Sequence, residues 1–195
     1  PTTPPAHRPT ATVPAGGSGC VEIDLSAISD NVRELRRRAG DAEVMAVVKA
    51  DGYGHGALPA ARAALAGGAT WLGVAQLAEA LTLRGAGVEA PMLTWLYVPG
   101  AEVEAALRAD IDVTISADWQ LRQVLDAARS IGSPARVHLK VDTGLARNGA
   151  FGAAWSDLVR GAAAAAAEQA IEVVGVWSHF AYADAPDHPT VRQQQ

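Results

Sequence analysis

The chain has 195 residues, 49% of them hydrophobic, with a formal net charge of −5 and a single cysteine. That length is ample for one buried core and too short for two large domains, and the acidic balance argues against nucleic acid or an anionic membrane as partner. No apolar run approaches the roughly 20 residues of a spanning helix, and Cys20 has no partner for an internal disulfide, which fits a reducing cytoplasm.

Residues 1–19 hold five prolines, four threonines and three glycines and no apolar stretch, so they read as a disordered lead-in and not as a signal peptide. Cys20 reads as a small strand residue, and no metal ligand set is expected. The ordered domain, residues 20–195, opens with an alternating strand over 21–25, after which Ser26 caps a helix over 27–39. The next strand covers 43–49, apolar on both faces apart from its ends. An alanine-rich helix over 58–66 closes at Gly67-Gly68. Strands are then expected at 71–75, 92–96, 113–115, 135–141 and 173–178, with helices at 77–84, 102–108, 118–130 and 153–169 between them. The hexa-alanine run at 162–167 stays helical, since alanine is the best helix former.

Short βα units in series, with hydrophobic strands, predict a parallel sheet covered by helices. From Glu43 onward there are six strands, while a closed (β/α)₈ barrel needs eight and about 250 residues. The chain is therefore expected to supply about six βα units of a barrel. A doubly wound open sheet satisfies the same periodicity.

Chemistry concentrates in Ala46-Val47-Val48-Lys49-Ala50-Asp51-Gly52-Tyr53-Gly54-His55-Gly56. A lysine ending a buried apolar run loses hydration, which favours the neutral amine and makes it a nucleophile. Schiff-base chemistry with an aldehyde cofactor needs such a lysine. A snorkelling lysine that simply closes a strand fits the same segment. Arg147 and His179 also fall at or just past the ends of predicted strands, so three strands send a functional side chain to the end where barrel enzymes gather their chemistry.

Residues 47–56 resemble the pyridoxal-phosphate attachment signature of alanine racemases. His138-Leu139-Lys140-Val141-Asp142-Thr143-Gly144-Leu145-Ala146-Arg147 resembles that family's K-x-D-T-G-x-x-R stretch, and Ser178-His179-Phe180-Ala181-Tyr182-Ala183-Asp184 its H-F-A-x-A-D stretch. The resemblance implies the alanine racemase type of (β/α)₈ TIM barrel, incomplete here, without the family's C-terminal β-domain. It implies that Lys49 carries pyridoxal 5'-phosphate and serves as one of two catalytic bases. Tyr53 would bond the cofactor phosphate, Arg147 the cofactor's phenolic oxygen and the substrate carboxylate, and His179 would lie beside the cofactor ring. Lys140 matches a lysine carbamylated in many members; an unmodified structural lysine is the alternative. His55 fits the motif with no catalytic role, only a local hydrogen bond in the glycine loop.

The family's second base, a tyrosine from the partner subunit's C-terminal domain, has no counterpart in the sequence. Neither do the arginine facing the pyridine nitrogen and the rest of the phosphate cradle. The resemblance thus implies the N-terminal portion of a homodimeric, cytoplasmic racemase interconverting L-alanine and D-alanine for peptidoglycan, inactive by itself. The alternative is a single-barrel pyridoxal-phosphate-binding protein of cofactor homeostasis.

Overall fold

A computed structural model describes residues 21–195; the expected lead-in over 1–19 and Cys20 lie outside the described residues. Six parallel strands follow one another in the order β1-β2-β3-β4-β5-β6. They are β1 (Met45–Val47), β2 (Trp71–Gln76), β3 (Met92–Leu96), β4 (Asp112–Ile115), β5 (Ala135–Lys140) and β6 (Ile171–Trp177). Strands adjacent in sequence are adjacent in space throughout, as in a (β/α)₈ barrel, whereas a doubly wound sheet reverses its order at a switch point. The fold is six units of that barrel, and β1 and β6 are the two edges of the sheet.

Helices α3 (Ala57–Ala66), α4 (Leu77–Gly85), α5 (Val103–Arg108), α6 (Asp118–Ile131) and α7 (Ala153–Ala167) connect the strands; α1 (Leu25–Ala39) precedes β1 and α8 (Pro189–Gln194) follows β6. Side chains alternate across a strand. One set, including Leu72, Val74, Met92, Val113, Ile115, Val137 and Leu139, is buried beneath the helices. The other set, including Met45, Leu93, Trp95, His138, Lys140 and Trp177, faces a cavity on the concave side. Lower on that face, Asp112 accepts from Arg136 Nε (2.9 Å) and lies 3.1 Å from His138 Nε2, so the buried carboxylate is paired. No helix among the described residues is long and apolar enough to cross a membrane.

Two expectations fail locally. Residues 21–24 form no strand, and the cap of α1 is Asp24, not Ser26: its Oδ1 accepts the N–H groups of Ser26 (3.0 Å) and Ala27 (3.2 Å). Aspartate caps as well as serine does, and a lone strand needs a neighbour, which the described residues do not offer here. The strand expected over 43–49 is cut to Met45–Val47, because the chain turns out of the sheet at Val48.

That turn, α2 (Lys49–Tyr53), is left-handed inside. Ala50, Asp51 and Gly52 have φ near +52°, +53° and +62°, and Tyr53 follows at +57°. Left-handed helical backbone costs roughly 1–2 kcal/mol for each residue bearing a Cβ. Glycine at position 52 relieves both strain and crowding: an added Cβ would sit 3.0 Å from the Ala60 side chain. The turn is held by Gly52 N–H to Val48 O (2.9 Å), by Gly56 N–H to Asp51 O (2.9 Å), and by Asp51 Oδ1, which accepts from Ala57 N–H (2.7 Å) at the start of α3.

Candidate active site

Lys49 and Tyr53 stand on the left-handed turn after β1, Lys140 at the end of β5, Arg147 in the loop beyond it, and His179 just past β6. All five line one cavity of about 820 Å³ at the carboxyl ends of the strands. Among the described residues no acidic side chain lines it. The sequence contains two lysines in all, and both are here.

The two lysines differ in a way the sequence did not reveal. Lys49 is half-buried, and its amine lies 5.8 Å from the centre of the Tyr53 ring. The buried lysine is Lys140, only 3% exposed, its ammonium 4.5 Å above the Trp177 ring, itself packed edge-on against Trp95. Loss of water, and then the charge of Arg147, depress the Lys140 pKa, while Asp142 opposes them. The desolvation argument made for Lys49 therefore applies to Lys140; a three-residue edge strand is too short to bury the residue at its end.

The loop after β5 is built to aim Arg147. Asp142 Oδ1 accepts from the N–H groups of Gly144 (2.9 Å) and Ala146 (3.1 Å), and these bonds hold its carboxyl below the usual range. Gly149 lets the chain return against β5: a Cβ there would meet Asp142 N at 2.6 Å and Val141 C at 2.8 Å. Thr143 and Ser178 hydroxyls bond across to the end of β6. Buried Gln194 of α8 pairs with the backbone of Ala181, accepting from its N–H (2.7 Å) and donating to its carbonyl (3.1 Å), two residues beyond His179.

These supports bring Arg147 Nη2 within 2.6 Å of His179 Nδ1. A guanidinium can only donate, so Nδ1 accepts and the ring's proton sits on Nε2. Desolvation, then the charges of Arg147, Lys140 and Lys49, lower the His179 pKa. The group is therefore neutral further into acid than the ordinary value of 6.5, and its contribution to stability is present above that value and lost as pH falls through the folded-state value. In Arg147→Gln the ring should titrate at higher pH than in the parent, read from its imidazole resonances; an unmoved titration would show that Arg147 does not control it.

His55 does what its motif position suggests, with Nδ1 2.8 Å from Gly52 O. The sequence reading missed Trp95 and Trp177, which show no motif signal, and the anchoring role of Gln194, which only the tertiary fold creates.

The family model described as alanine racemase, N-terminal domain, matches residues 23–195. The chain belongs to the alanine racemase family. It is 58% identical over 183 residues to the alanine racemase of Frankia casuarinae, covering 93% of this chain and 48% of that one. Against the alanine racemase of Beutenbergia cavernae it is 62% identical over 162 residues, covering 83% and 43%. The solved alanine racemase of Streptomyces coelicolor superposes with a TM-score of 0.86 at 52% identity, over 88% of this chain and 46% of that one. The chain thus spans just under half the length of these alanine racemases, and that half includes all five residues grouped in the cavity.

Proposed function

We propose that the chain provides the cofactor-binding half of a pyridoxal-phosphate-dependent alanine racemase, a homodimer that interconverts L- and D-alanine in the cytoplasm and supplies D-alanine to peptidoglycan. The observation that carries this reading is the lining of the cavity: two lysines and an arginine, an unprotonated imidazole nitrogen and, among the described residues, no carboxylate. Such a lining suits a doubly anionic guest, and the volume suits a cofactor with a small amino acid attached. Pyridoxal phosphate fits both requirements.

When bound, that cofactor supplies an aldehyde for a lysine to attack and a ring that spreads negative charge away from the amino acid's Cα. Lys49, at the mouth, would hold the cofactor through its amine and would be the base that moves a proton at Cα on one face. Tyr53, on the same turn, would donate its hydroxyl to the cofactor's phosphate. Arg147 takes the substrate carboxylate in its planar fork and keeps His179 Nδ1 free of a proton. Lys140, its pKa depressed by burial, would carry the carbamate that the resemblance implies, its amine adding carbon dioxide and releasing a proton, which would turn a cation near Arg147 into an anion that orients it. The base for the opposite face is a tyrosine from the partner subunit, as the resemblance implies.

The test uses the 195-residue chain itself. Pyridoxal phosphate is added, the adduct is reduced with borohydride, and the labelled peptide is mapped. Label at Lys49 supports the reading; label at Lys140, or none, overturns it.

A further inference from the structure

The peptide immediately after Lys49 is held by a side chain from another βα unit. Glu79 is the third residue of α4, and its Oε2 accepts the N–H groups of Gln76 (2.8 Å) and Ala75 (2.9 Å) at the end of β2, as the acid of a capping box does. Its other oxygen is not left to water. Oε1 accepts the N–H of Ala50 at 2.6 Å, reaching 29 residues back along the chain. Ala50 is the first residue of the left-handed stretch, so the bond falls where the backbone departs from its preferred conformation. On the other side of Lys49, Val48 N–H donates to Gly73 O of β2 at 2.9 Å. Lys49 is thus bracketed, the Val47–Val48 peptide before it tied to β2 and its own following peptide tied to the helix that β2 leads into.

We propose that Glu79 is a positioning residue for Lys49: its carboxylate fixes the Ala50 peptide, and through it the direction in which the Lys49 side chain enters the cavity. Glu79 is absent from the cavity lining; it acts through backbone alone. Both oxygens must be acceptors, because all three partners are N–H groups, so the role is specific to a carboxylate. Helix capping by itself needs one oxygen. The second oxygen serves the lysine.

Glutamine separates the two duties. In Glu79→Gln the amide oxygen keeps the α4 cap while the NH2 group opposes the Ala50 N–H, so the anchor is lost and the helix start is kept. The proposal rests on pyridoxal phosphate binding at Lys49, and the measurement is borohydride-trapped labelling of Lys49 against cofactor concentration, together with amide exchange over residues 50–54 without cofactor. Val124→Ala, which hollows the buried face of α6 and removes no contact to the Ala50 peptide, is the control for general loss of stability. The expected result for Glu79→Gln is a labelling affinity lower by about tenfold and exchange over 50–54 faster by about tenfold, with Val124→Ala unchanged in both. Parental labelling and exchange in Glu79→Gln would overturn the proposal, as would an equal loss in Val124→Ala, since the role would then be only structural. An unlabelled parent would instead overturn the cofactor assignment, and this proposal with it.

Discussion

Lys49→Ala, in the chain joined to the C-terminal half of the Streptomyces coelicolor relative, is expected to lower alanine racemisation by about 10³-fold or more, because attachment point and base are lost together. It should also abolish borohydride-stable labelling and the visible absorbance of lysine-bound cofactor. The second lysine makes this a demanding test. Lys140 lies in the same cavity, and burial depresses its pKa. Loss of water disfavours its charged form, which is the direction that would let it replace Lys49. Access decides otherwise: Lys140 is 3% exposed, pressed over Trp177, whereas Lys49 stands half-exposed on a turn beside Tyr53. Transfer of the label to Lys140 in this variant would show that chemistry, not placement, chooses between them.

The contrast between the lysines also shows where the sequence was readable. Hydrophobic periodicity located every βα unit from β2 onward to within two residues, and matched β3 at both ends; β2 to β5 sit between neighbours and are buried beneath helices. Periodicity reports burial, and there burial is uniform. At the edges it serves less well: β6 begins two residues earlier than expected, β1 shrinks to three residues, and the strand expected over 21–25 is an aspartate-capped approach to α1. The glycine pattern of residues 52–56 announced an unusual backbone without saying that it is left-handed, since Ala50, Asp51 and Tyr53 join glycine in that region. Motifs located Lys49, Tyr53, Lys140, Arg147 and His179, which the fold gathers from three strand ends. Their supports were not legible. Glu79 lies 29 residues from the peptide it holds, and Gln194 lies 13 from its partner, at distances only the tertiary structure closes.

Arg147→Lys, in the same joined protein, is expected to reduce kcat/KM for alanine by about 10- to 100-fold while leaving the labelling affinity at Lys49 within a few-fold of the parent. The magnitude comes from losing one of two charge-assisted bonds to the substrate carboxylate, each worth about 1.5–3 kcal/mol, against about 1.4 kcal/mol for a tenfold change in rate. Two further consequences point the same way. A lysine reaches its target as a point charge, so the contact that holds His179 Nδ1 at 2.6 Å competes with substrate, whereas guanidinium has donors enough for both. The loop will not follow the shorter side chain, because Asp142 fixes Gly144 and Ala146, and Gly149 already packs its backbone against Asp142. Loss thus falls on the step that orients the amino acid and not on the lysine that holds the cofactor. Equal kinetics in the two proteins would remove Arg147 from the substrate site; a parallel fall in labelling would place it on the cofactor alone.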